Sequence, residues 1–328
     1  MNATTADAAA LAPLVRTRAT VEVPATIANL GAGFDCLGLA VDLRLRISLE
    51  ARSRVDGAPP VELVAEGEDA GELVGDPANR TVLALMAALD ELGVHGLKNV
   101  AWRLEVRNEI PLERGLGSSA AAAVAGLCLA EAITGRDLPR ETLLRLATAV
   151  EGHPDNVGPA LLGGLVASVE LESGVKAVRV DPPAGLGIVA WIPDRRLVTA
   201  EMRRVLPPTV PRADAIANLA RVAVAVAGLA TDQPGAIGLL AGDRLHEPYR
   251  ARVYPELPVL VEAARDAGAI GACLAGSGST IVAFVDDAAD PSSHERVGAA
   301  MRTAAEQAGL AGRLVRLAPR ADGARLVA

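Results

Sequence analysis

Cysteine is scarce in this chain of 328 residues. The three cysteines, Cys36, Cys128 and Cys273, lie far apart and form neither a CxxC pair nor a Cys/His spacing typical of metal ligands. This pattern excludes a zinc site held by paired cysteines. It favours a reduced, cytoplasmic protein.

Aromatic residues make up only 2% of the chain although 51% is apolar, so a core must be built from Ala, Leu and Val. Long hydrophobic runs are missing as well. The longest, Ala120–Ala130 and Val222–Ala230, fall well short of the ~20 residues that span a bilayer, and we expect both to be buried helices. The N-terminus lacks the basic start of a signal peptide and carries Asp7, so we interpret it as a mobile tail.

Lysine is nearly absent, since Lys98 and Lys176 are the only two. Cationic chemistry must therefore come from arginine. The net charge of −8 disfavours binding to a nucleic-acid backbone as the main task.

The length allows two average domains. Strand and helix patterns are mixed in both halves, and we place the domain boundary near residue 175, between domains 1–175 and 176–328.

Two segments rich in small or turn-forming residues are predicted to be loops. The first, Pro24–Gly38, reads PATIANLGAGFDCLG, and the second, Glu151–Pro159, begins EGHPDN. A third such segment, Gly276–Thr280 (GSGST), lies between two apolar strands. It is interpreted as a hairpin turn, with a loop that packs against a phosphate site as the alternative.

The segment Pro111–Ala121, PLERGLGSSAA, is the strongest motif. Its glycines let backbone N–H groups approach an anion closely. The residues that follow are strong helix formers, so the motif leads into the N-terminus of a helix near 118–134, where free N–H groups suit a phosphate. Ser118 and Ser119 can cap this helix, and one hydroxyl can reach a divalent metal. A capped core helix after a tight turn is the alternative.

Other phosphate-binding motifs fit poorly. A Walker loop is excluded because no lysine stands in a GxxxxGK[ST] pattern. GLGSSA formally matches the dinucleotide fingerprint, but the preceding strand is predicted to end near Val106, several residues early, with Pro111 between. No strand-ending acid follows ~20 residues later. A nicotinamide enzyme is therefore disfavoured, and a GxSxG nucleophile elbow is absent.

The motif PLERGLGSSAA resembles the signature of the GHMP small-molecule kinases, named for galactokinase, homoserine kinase, mevalonate kinase and phosphomevalonate kinase. Five further segments resemble the homoserine kinase branch of this family: PATIANLGAGFDCLG, EGHPDNVGPALLGG, LVTAEMRRVLP, EPYRARVYPEL and CLAGSGSTIVAF. They follow that family's order over residues 21–285. One departure is Ser279 in GSGST, where homoserine kinases often have proline, so this loop is expected to be less rigid.

The resemblance implies a two-domain α+β fold and a reaction. The N-terminal domain would resemble ribosomal protein S5 domain 2, with a left-handed βαβ crossover, and the C-terminal domain would be ferredoxin-like. ATP would lie in the cleft between them, and the chain would form a homodimer. The implied reaction is ATP-dependent phosphorylation of L-homoserine in threonine biosynthesis. Another kinase of the family, such as a mevalonate kinase, is the alternative.

The resemblance also implies the residues that bind ATP and Mg²⁺. Ser119 and Glu151 would hold the metal, since Mg²⁺ needs only one or two carboxylates beside phosphate oxygens and water. Ser119, Glu151 and Thr199 are the implied catalytic residues. The implied nucleotide-binding residues are Asn79, Pro111, Gly115, Leu116, Gly117, Ser118, Ser119, Ala120 and Ala121.

Homoserine is a zwitterion, whose ammonium needs carboxylate or amide oxygens and whose carboxylate suits arginine. Thr199 and Arg203 are one helical turn apart, so both can face the cleft. Mevalonate has no amine, which would leave Asp35 without a cation. His153 is interpreted as structural, and no general base is assigned. The implied substrate-binding residues are Asn29, Asp35, Asp155, Asn156, Arg203 and Arg250.

Overall fold

The computed structural model describes residues 10–55, 57–74 and 79–327. The expected mobile tail covers residues 1–16, of which residues 1–9 lie outside this range. For residues 10–16 the prediction is wrong, because the N–H groups of Val15 and Arg16 donate to the Ile133 carbonyl oxygen at 2.9 and 3.2 Å, and Leu11 and Leu14 pack against the core. The strands are β1 (Arg18–Ala28), β2 (Leu37–Ser53), β3 (Val61–Gly67), β4 (Val100–Asn108), β5 (Leu165–Leu171), β6 (Gly174–Val180), β7 (Leu186–Pro193), β8 (Gly271–Leu274), β9 (Ile281–Asp286), β10 (Gly312–Leu317) and β11 (Arg325–Val327). The helices are α1 (Ala70–Val74), α2 (Arg80–Glu91), α3 (Ser118–Thr134), α4 (Arg140–Glu151), α5 (Pro154–Leu162), α6 (Thr199–Arg204), α7 (Arg212–Leu229), α8 (Glu247–Arg250), α9 (Glu256–Asp266) and α10 (Ser293–Gln307), with 3₁₀ turns at Leu97–Asn99 and Pro234–Leu240.

Alternating side chains build the first sheet. Along β2, Leu45, Ile47 and Leu49 are buried while Arg46 and Ser48 between them are partly exposed, as a strand with one core face requires. The strand order is β11-β1-β2-β4-β3, with β5 paired to the start of β2 and β6 paired to β5. These pairs are antiparallel except β3–β4, which is parallel and is connected through α1 and α2.

The alanine-rich helix α3 packs against α2 and β1 in the core. This confirms the predicted buried helix at Ala120–Ala130. Glycine permits a close approach there, because a Cβ on Gly126 would lie 2.2 Å from the carbonyl oxygen of Thr81 in α2. The backbones of the two helices therefore touch, and their N-terminal ends are held at a fixed separation.

The second apolar run, Val222–Ala230, lies mostly in α7, and its predicted burial is wrong. Only Ala225 and Leu229 of this run are buried in the helix. One side of α7 packs against the 3₁₀ turn Pro234–Leu240, while side chains such as Val224 stay exposed. Apolar composition alone does not distinguish a helix covered on all sides from one covered on a single side.

The second sheet has the order β10-β7-β9-β8, all antiparallel, with α9 and α10 packed on it. This βαββαβ arrangement is ferredoxin-like, and the predicted α+β class is confirmed. Because β6 pairs with β5 in the first sheet, the change of sheet falls between Val180 and Leu186, a few residues after the predicted boundary at residue 175. The division into two domains stays a prediction, and β11 returns the chain to the first sheet.

Two predicted loops are shorter than expected. Within Pro24–Gly38 the strands continue to Ala28 and resume at Leu37, so that only residues 29–36 form the turn. Most of the second predicted loop is helix α5, which begins at Pro154. Proline suits the first helical position because the N–H it lacks has no partner there. In the part of the chain that the structure describes, no helix is long and apolar enough to cross a membrane.

Candidate active site

One cleft, with a volume of about 540 Å³, is lined by residues from both halves of the chain. It gathers most of the residues singled out in the sequence. Those that line it are Asn29, Asp35, Asn79, Pro111, Gly115, Leu116, Gly117, Ser118, Ser119, Glu151, Asp155, Asn156, Thr199, Arg203 and Arg250. The exceptions are Ala120 and Ala121, whose side chains are fully buried in the core.

The glycine-rich turn at residues 111–117 places backbone N–H groups at the cleft. Gly117 is the N-cap of α3 with φ +72°, and the first hydrogen bond of the helix runs from the N–H of Ala121 to its carbonyl oxygen. The N–H groups of Ser118, Ser119 and Ala120 therefore precede the helical hydrogen bonds and can bind an anion. The expectation that Ser118 or Ser119 caps the helix is wrong. The Ala121 N–H is already bonded within the helix, so it is not among these free donors, and the implied role of Ala121 in nucleotide binding stays a prediction.

Glu151 ends helix α4 beside this turn. Its Oε2 accepts a hydrogen bond from the Ser119 hydroxyl at 2.5 Å and lies 3.4 Å from Arg80 Nη1. The side chain is 9% exposed, and burial raises the pKa of this carboxyl above its usual range, although Ser119 and Arg80 oppose the shift. Among the described residues, no group of three or more His, Cys, Asp or Glu forms a metal site. A carboxylate oxygen and a hydroxyl oxygen are nevertheless the hard donors that Mg²⁺ prefers.

Two opposite charges face each other across the cleft. Arg203 in α6 donates from Nη1 and Nη2 to the two carboxylate oxygens of Asp35, at 3.0 and 2.8 Å. Both side chains are more than a third exposed, so each can also reach a ligand. Asp35 has φ +56°, and its N–H is held by the Asn29 side-chain oxygen at 3.0 Å. This bidentate pair is geometrically specific but open to solvent, which makes it exchangeable.

Arg250 lies deeper and is only 1% exposed. Its Nη1 donates to the Gly276 carbonyl oxygen at 2.9 Å, and the same oxygen accepts from the Asn29 side-chain amide at 2.7 Å. Burial lowers the pKa of Arg250 to about 10, so it stays charged at neutral pH. The Asn29 side chain thus connects the turn after β1, through the Asp35 N–H, with the Gly276 carbonyl oxygen, and its contact with the substrate stays a prediction.

The start of α5 contributes a second carboxylate. Asp155 Oδ1 lies 2.9 Å from His153 Nδ1, and this hydrogen bond raises the pKa of His153. Asn156 is buried, and its Oδ1 accepts from the Thr26 hydroxyl at 2.7 Å. His153 is therefore bound to its neighbour in the way expected of a structural histidine.

The turn at residues 275–280, called the Gly276 turn, is both a hairpin and a packing partner of the glycine-rich turn at residues 111–117, called the phosphate turn, so the two interpretations of GSGST hold together. It connects the antiparallel strands β8 and β9, and a Cβ on Gly115 would lie 2.1 Å from the Ala275 carbonyl oxygen. The hydroxyl of Ser277 lies 3.0 Å from that of Thr199 at the start of α6. The second sheet thereby completes the wall of the cleft.

Sequence reasoning missed two arginines that border the cleft. Arg80 follows Asn79 at the start of α2, and Arg114 lies inside the glycine-rich motif. Arg114 donates to the carbonyl oxygens of Pro193 and Asp194, both at 2.7 Å, and so attaches the phosphate turn to the second sheet. Arg114 could have been identified from its position in the glycine-rich motif. Arg80 could not, because its contact with Glu151 arises only once the chain is folded.

The fold and cleft together are those of a small-molecule phosphotransferase, with a glycine-rich turn that leads into a helix N-terminus. Family models agree: "GHMP kinases N terminal domain" matches residues 79–164 and "GHMP kinases C terminal" matches residues 225–307. The chain belongs to the GHMP kinase family.

The individual proteins that this chain resembles include two homoserine kinases. A homoserine kinase from Moorella thermoacetica is 41% identical over 94% of this chain and 99% of its own length. A homoserine kinase from a Synechococcus strain is 41% identical over 92% and 93% of the two chains. The crystal structure of homoserine kinase from Cytophaga hutchinsonii aligns with a TM-score of 0.82 at 29% identity, covering 95% of this chain and 98% of that one. Mevalonate kinase from L. major shares the fold at 16% identity, with a TM-score of 0.72 over 94% and 99% of the chains.

Proposed function

We propose that this chain is a homoserine kinase, which transfers the γ-phosphoryl group of ATP to the side-chain hydroxyl of L-homoserine, a step of threonine biosynthesis. The observation that carries the proposal is the Asp35–Arg203 pair beside the phosphate turn. One negative and one positive group at the same place complement an amino acid zwitterion. The names of the curated relatives support the same substrate.

The triphosphate would lie on the backbone N–H groups that open α3, those of Ser118, Ser119 and Ala120. A helix N-terminus suits this charge, and phosphoryl transfer depends mainly on positioning and charge neutralisation. Asn79 lies at the cleft as the N-cap of α2, where its side-chain oxygen accepts from two backbone N–H groups. Its amide N–H₂ is then the group that can meet the base or ribose.

Ser119 and Glu151 would hold Mg²⁺, because their oxygens already lie together at the phosphate turn. Bound there, Mg²⁺ would neutralise phosphate charge. Arg80 would balance the Glu151 carboxylate while the site is empty of metal. Family membership supports an ATP-dependent kinase of this kind.

Homoserine would bind by exchange of ionic partners. Its ammonium would replace Arg203 at Asp35, and its carboxylate would take up Arg203 and Arg250, so that neither charged side chain loses its counter-charge. The substrate hydroxyl would then face the γ-phosphate near Thr199. The hydroxyl oxygen would attack phosphorus directly while the bond from phosphorus to the bridging oxygen of ADP breaks, and the hydroxyl proton would pass to a phosphate oxygen or to water, with no residue assigned as a general base.

A coupled assay that follows ADP release tests the proposal. Purified protein with ATP and Mg²⁺ is given homoserine, mevalonate or galactose in turn. We expect turnover with homoserine and little with the others, because only homoserine offers a cation to Asp35. Turnover of mevalonate without homoserine would assign the chain to another GHMP kinase activity. The homodimer implied by the family resemblance stays a prediction that light scattering can test.

A further inference from the structure

The segment Asp243–Arg250, DRLHEPYR, contains a buried histidine that the proposed function leaves without a role. His246 is 0% exposed. Asp243 fixes the backbone around it, because its carboxylate accepts hydrogen bonds from the N–H groups of Leu245, His246 and Glu247 at 2.7 to 3.0 Å. The ring is therefore presented from a rigid backbone.

The two partners of the His246 ring determine where its proton lies. Nδ1 is 3.0 Å from Arg250 Nη1, and a guanidinium can only donate, so Nδ1 must accept. Nε2 is 3.0 Å from the Gly31 carbonyl oxygen, which can only accept, so Nε2 must carry the hydrogen. Both contacts require the neutral Nε2–H tautomer. Burial lowers the pKa of His246 although Asp243 opposes this, which agrees with a neutral ring.

The face of the same ring packs on Phe34, with 4.8 Å between ring centroids. Phe34 precedes Asp35 in the turn between β1 and β2. Two guanidinium groups lie over its ring, that of Arg250 at 5.5 Å and that of Arg203 at 6.0 Å. His246 thus contacts the aromatic ring that both cleft arginines share.

The hydrogen bonds of Arg250 involve only part of its guanidinium group. Nη1 donates to His246 Nδ1 and to the Gly276 carbonyl oxygen, and Nε donates to the Met202 carbonyl oxygen at 3.5 Å. No hydrogen-bond partner of Nη2 is found among the described residues, and Arg250 borders the cleft. Arg250 is therefore held from one side while its other side can meet an anion.

We infer that His246 is a positioning residue for the substrate carboxylate: it holds Arg250 through Nδ1 and Phe34 through its ring face, so that Arg250 meets the substrate in one orientation. The inference rests on the proposed function, since it concerns the amino acid side of that site. His246 does not touch the nucleotide side. Its loss should therefore weaken homoserine binding and leave ATP binding unchanged.

Two amide substitutions separate the two ring nitrogens. His246→Gln keeps a donor near Nε2 but removes the acceptor for Arg250, and we expect KM for homoserine to rise tenfold or more with KM for ATP within twofold of wild type. His246→Asn keeps an acceptor near Nδ1, and we expect it to recover most of the homoserine affinity. His294→Gln is the matched control, because His294 is also buried and bonded to the Ile188 carbonyl oxygen, but outside the cleft.

The outcomes are distinct. If the wild-type protein does not phosphorylate homoserine, the proposed function fails and takes the inference with it. If wild type is active and His246→Gln has unchanged KM for homoserine, or raises both KM values equally, the positioning role is refuted alone. If His246→Gln does not fold, His246→Asn and ¹⁵N NMR of the wild-type imidazole decide: a cationic ring or an Nδ1–H tautomer refutes the inference.

Discussion

Replacing Glu151 by glutamine should separate stability from activity. Glutamine keeps the shape of the side chain and can still accept the hydrogen bond from Ser119, so the change removes the negative charge and with it the ion pair to the partly exposed Arg80. In the free protein this charge is buried, and burial raises the pKa of the carboxyl. A raised carboxyl pKa means that the folded state holds the proton more tightly than the unfolded chain does. The ionised group therefore lowers the free energy of unfolding at neutral pH, and acidification relieves this effect.

Glu151→Gln is expected to leave the free energy of unfolding unchanged or higher, and to lower the activity. Because Glu151→Gln removes a buried charge, we expect the free energy of unfolding to stay within about 1 kcal/mol of wild type or to rise. Activity should fall sharply, since phosphoryl transfer depends on charge stabilisation at the metal. Removing one such group costs on the order of 100- to 1,000-fold in kcat, or ~3–4 kcal/mol of activation free energy.

The assay combines urea unfolding with ADP release measured over a range of Mg²⁺ concentrations. Glu131→Gln is the matched control: Glu131 lies in α3 outside the cleft, accepts a hydrogen bond from the Leu138 N–H at 2.7 Å, and also has a carboxyl pKa raised by burial. We expect wild-type kcat from this control. If Glu151→Gln kept wild-type kcat and Mg²⁺ dependence, the metal role would be refuted.

Three further predictions concern the same region. Gly117→Ala should lower the free energy of unfolding by ~2 kcal/mol or more, because its φ is +72° and the new Cβ would meet the Thr26 hydroxyl at 1.9 Å. Asp35→Asn should raise KM for homoserine about 10- to 100-fold, the loss of one charged contact of ~1.5–3 kcal/mol, with ATP binding unchanged. His153→Ala should be destabilising below pH 6.5 and lose this effect as pH rises through the raised pKa of His153, as urea unfolding at several pH values would measure.

Each of these three predictions can be checked against a control variant or a change of pH. Gly96→Ala has a similar φ of +85° but no atom within 4 Å of the new Cβ, so equal losses at positions 96 and 117 would contradict the steric argument. An Asp214→Asn variant breaks an ion pair with Arg244 outside the cleft and should leave KM unchanged. A pH-independent effect of His153→Ala would refute the role assigned to its hydrogen bond.

The phosphate side of the site could be predicted from the sequence because its residues are contiguous. The turn, the start of α3 at Ser118 and the backbone N–H groups all follow from one stretch of chain. Glu151 came from the family resemblance, and the structure brings it to Ser119 across 32 positions. Helix α5 was missed because a nine-residue helix that begins PDN has the composition of a turn.

The part of the site that is proposed to bind the amino acid depends on contacts between residues far apart in the chain, and no local sequence pattern predicts such contacts. Asp35 and Arg203 are 168 positions apart, and their direct pairing follows only once the turn after β1 meets α6. His246 gave no signal at all, since a lone histidine between Leu245 and Glu247 has no periodic partner. Its importance comes from Gly31, Phe34 and Arg250, which the fold brings around it.

The contact between Gly126 and Thr81 lies away from the cleft, yet it joins the two helices that carry the two ends of the predicted nucleotide site. Asn79 caps the start of α2, and Gly117 caps the start of α3. Because Gly126 has no side chain, the backbone of α3 lies directly against the Thr81 carbonyl oxygen. A larger residue at position 126 would push the two helices apart and so move Asn79 away from the glycine-rich turn.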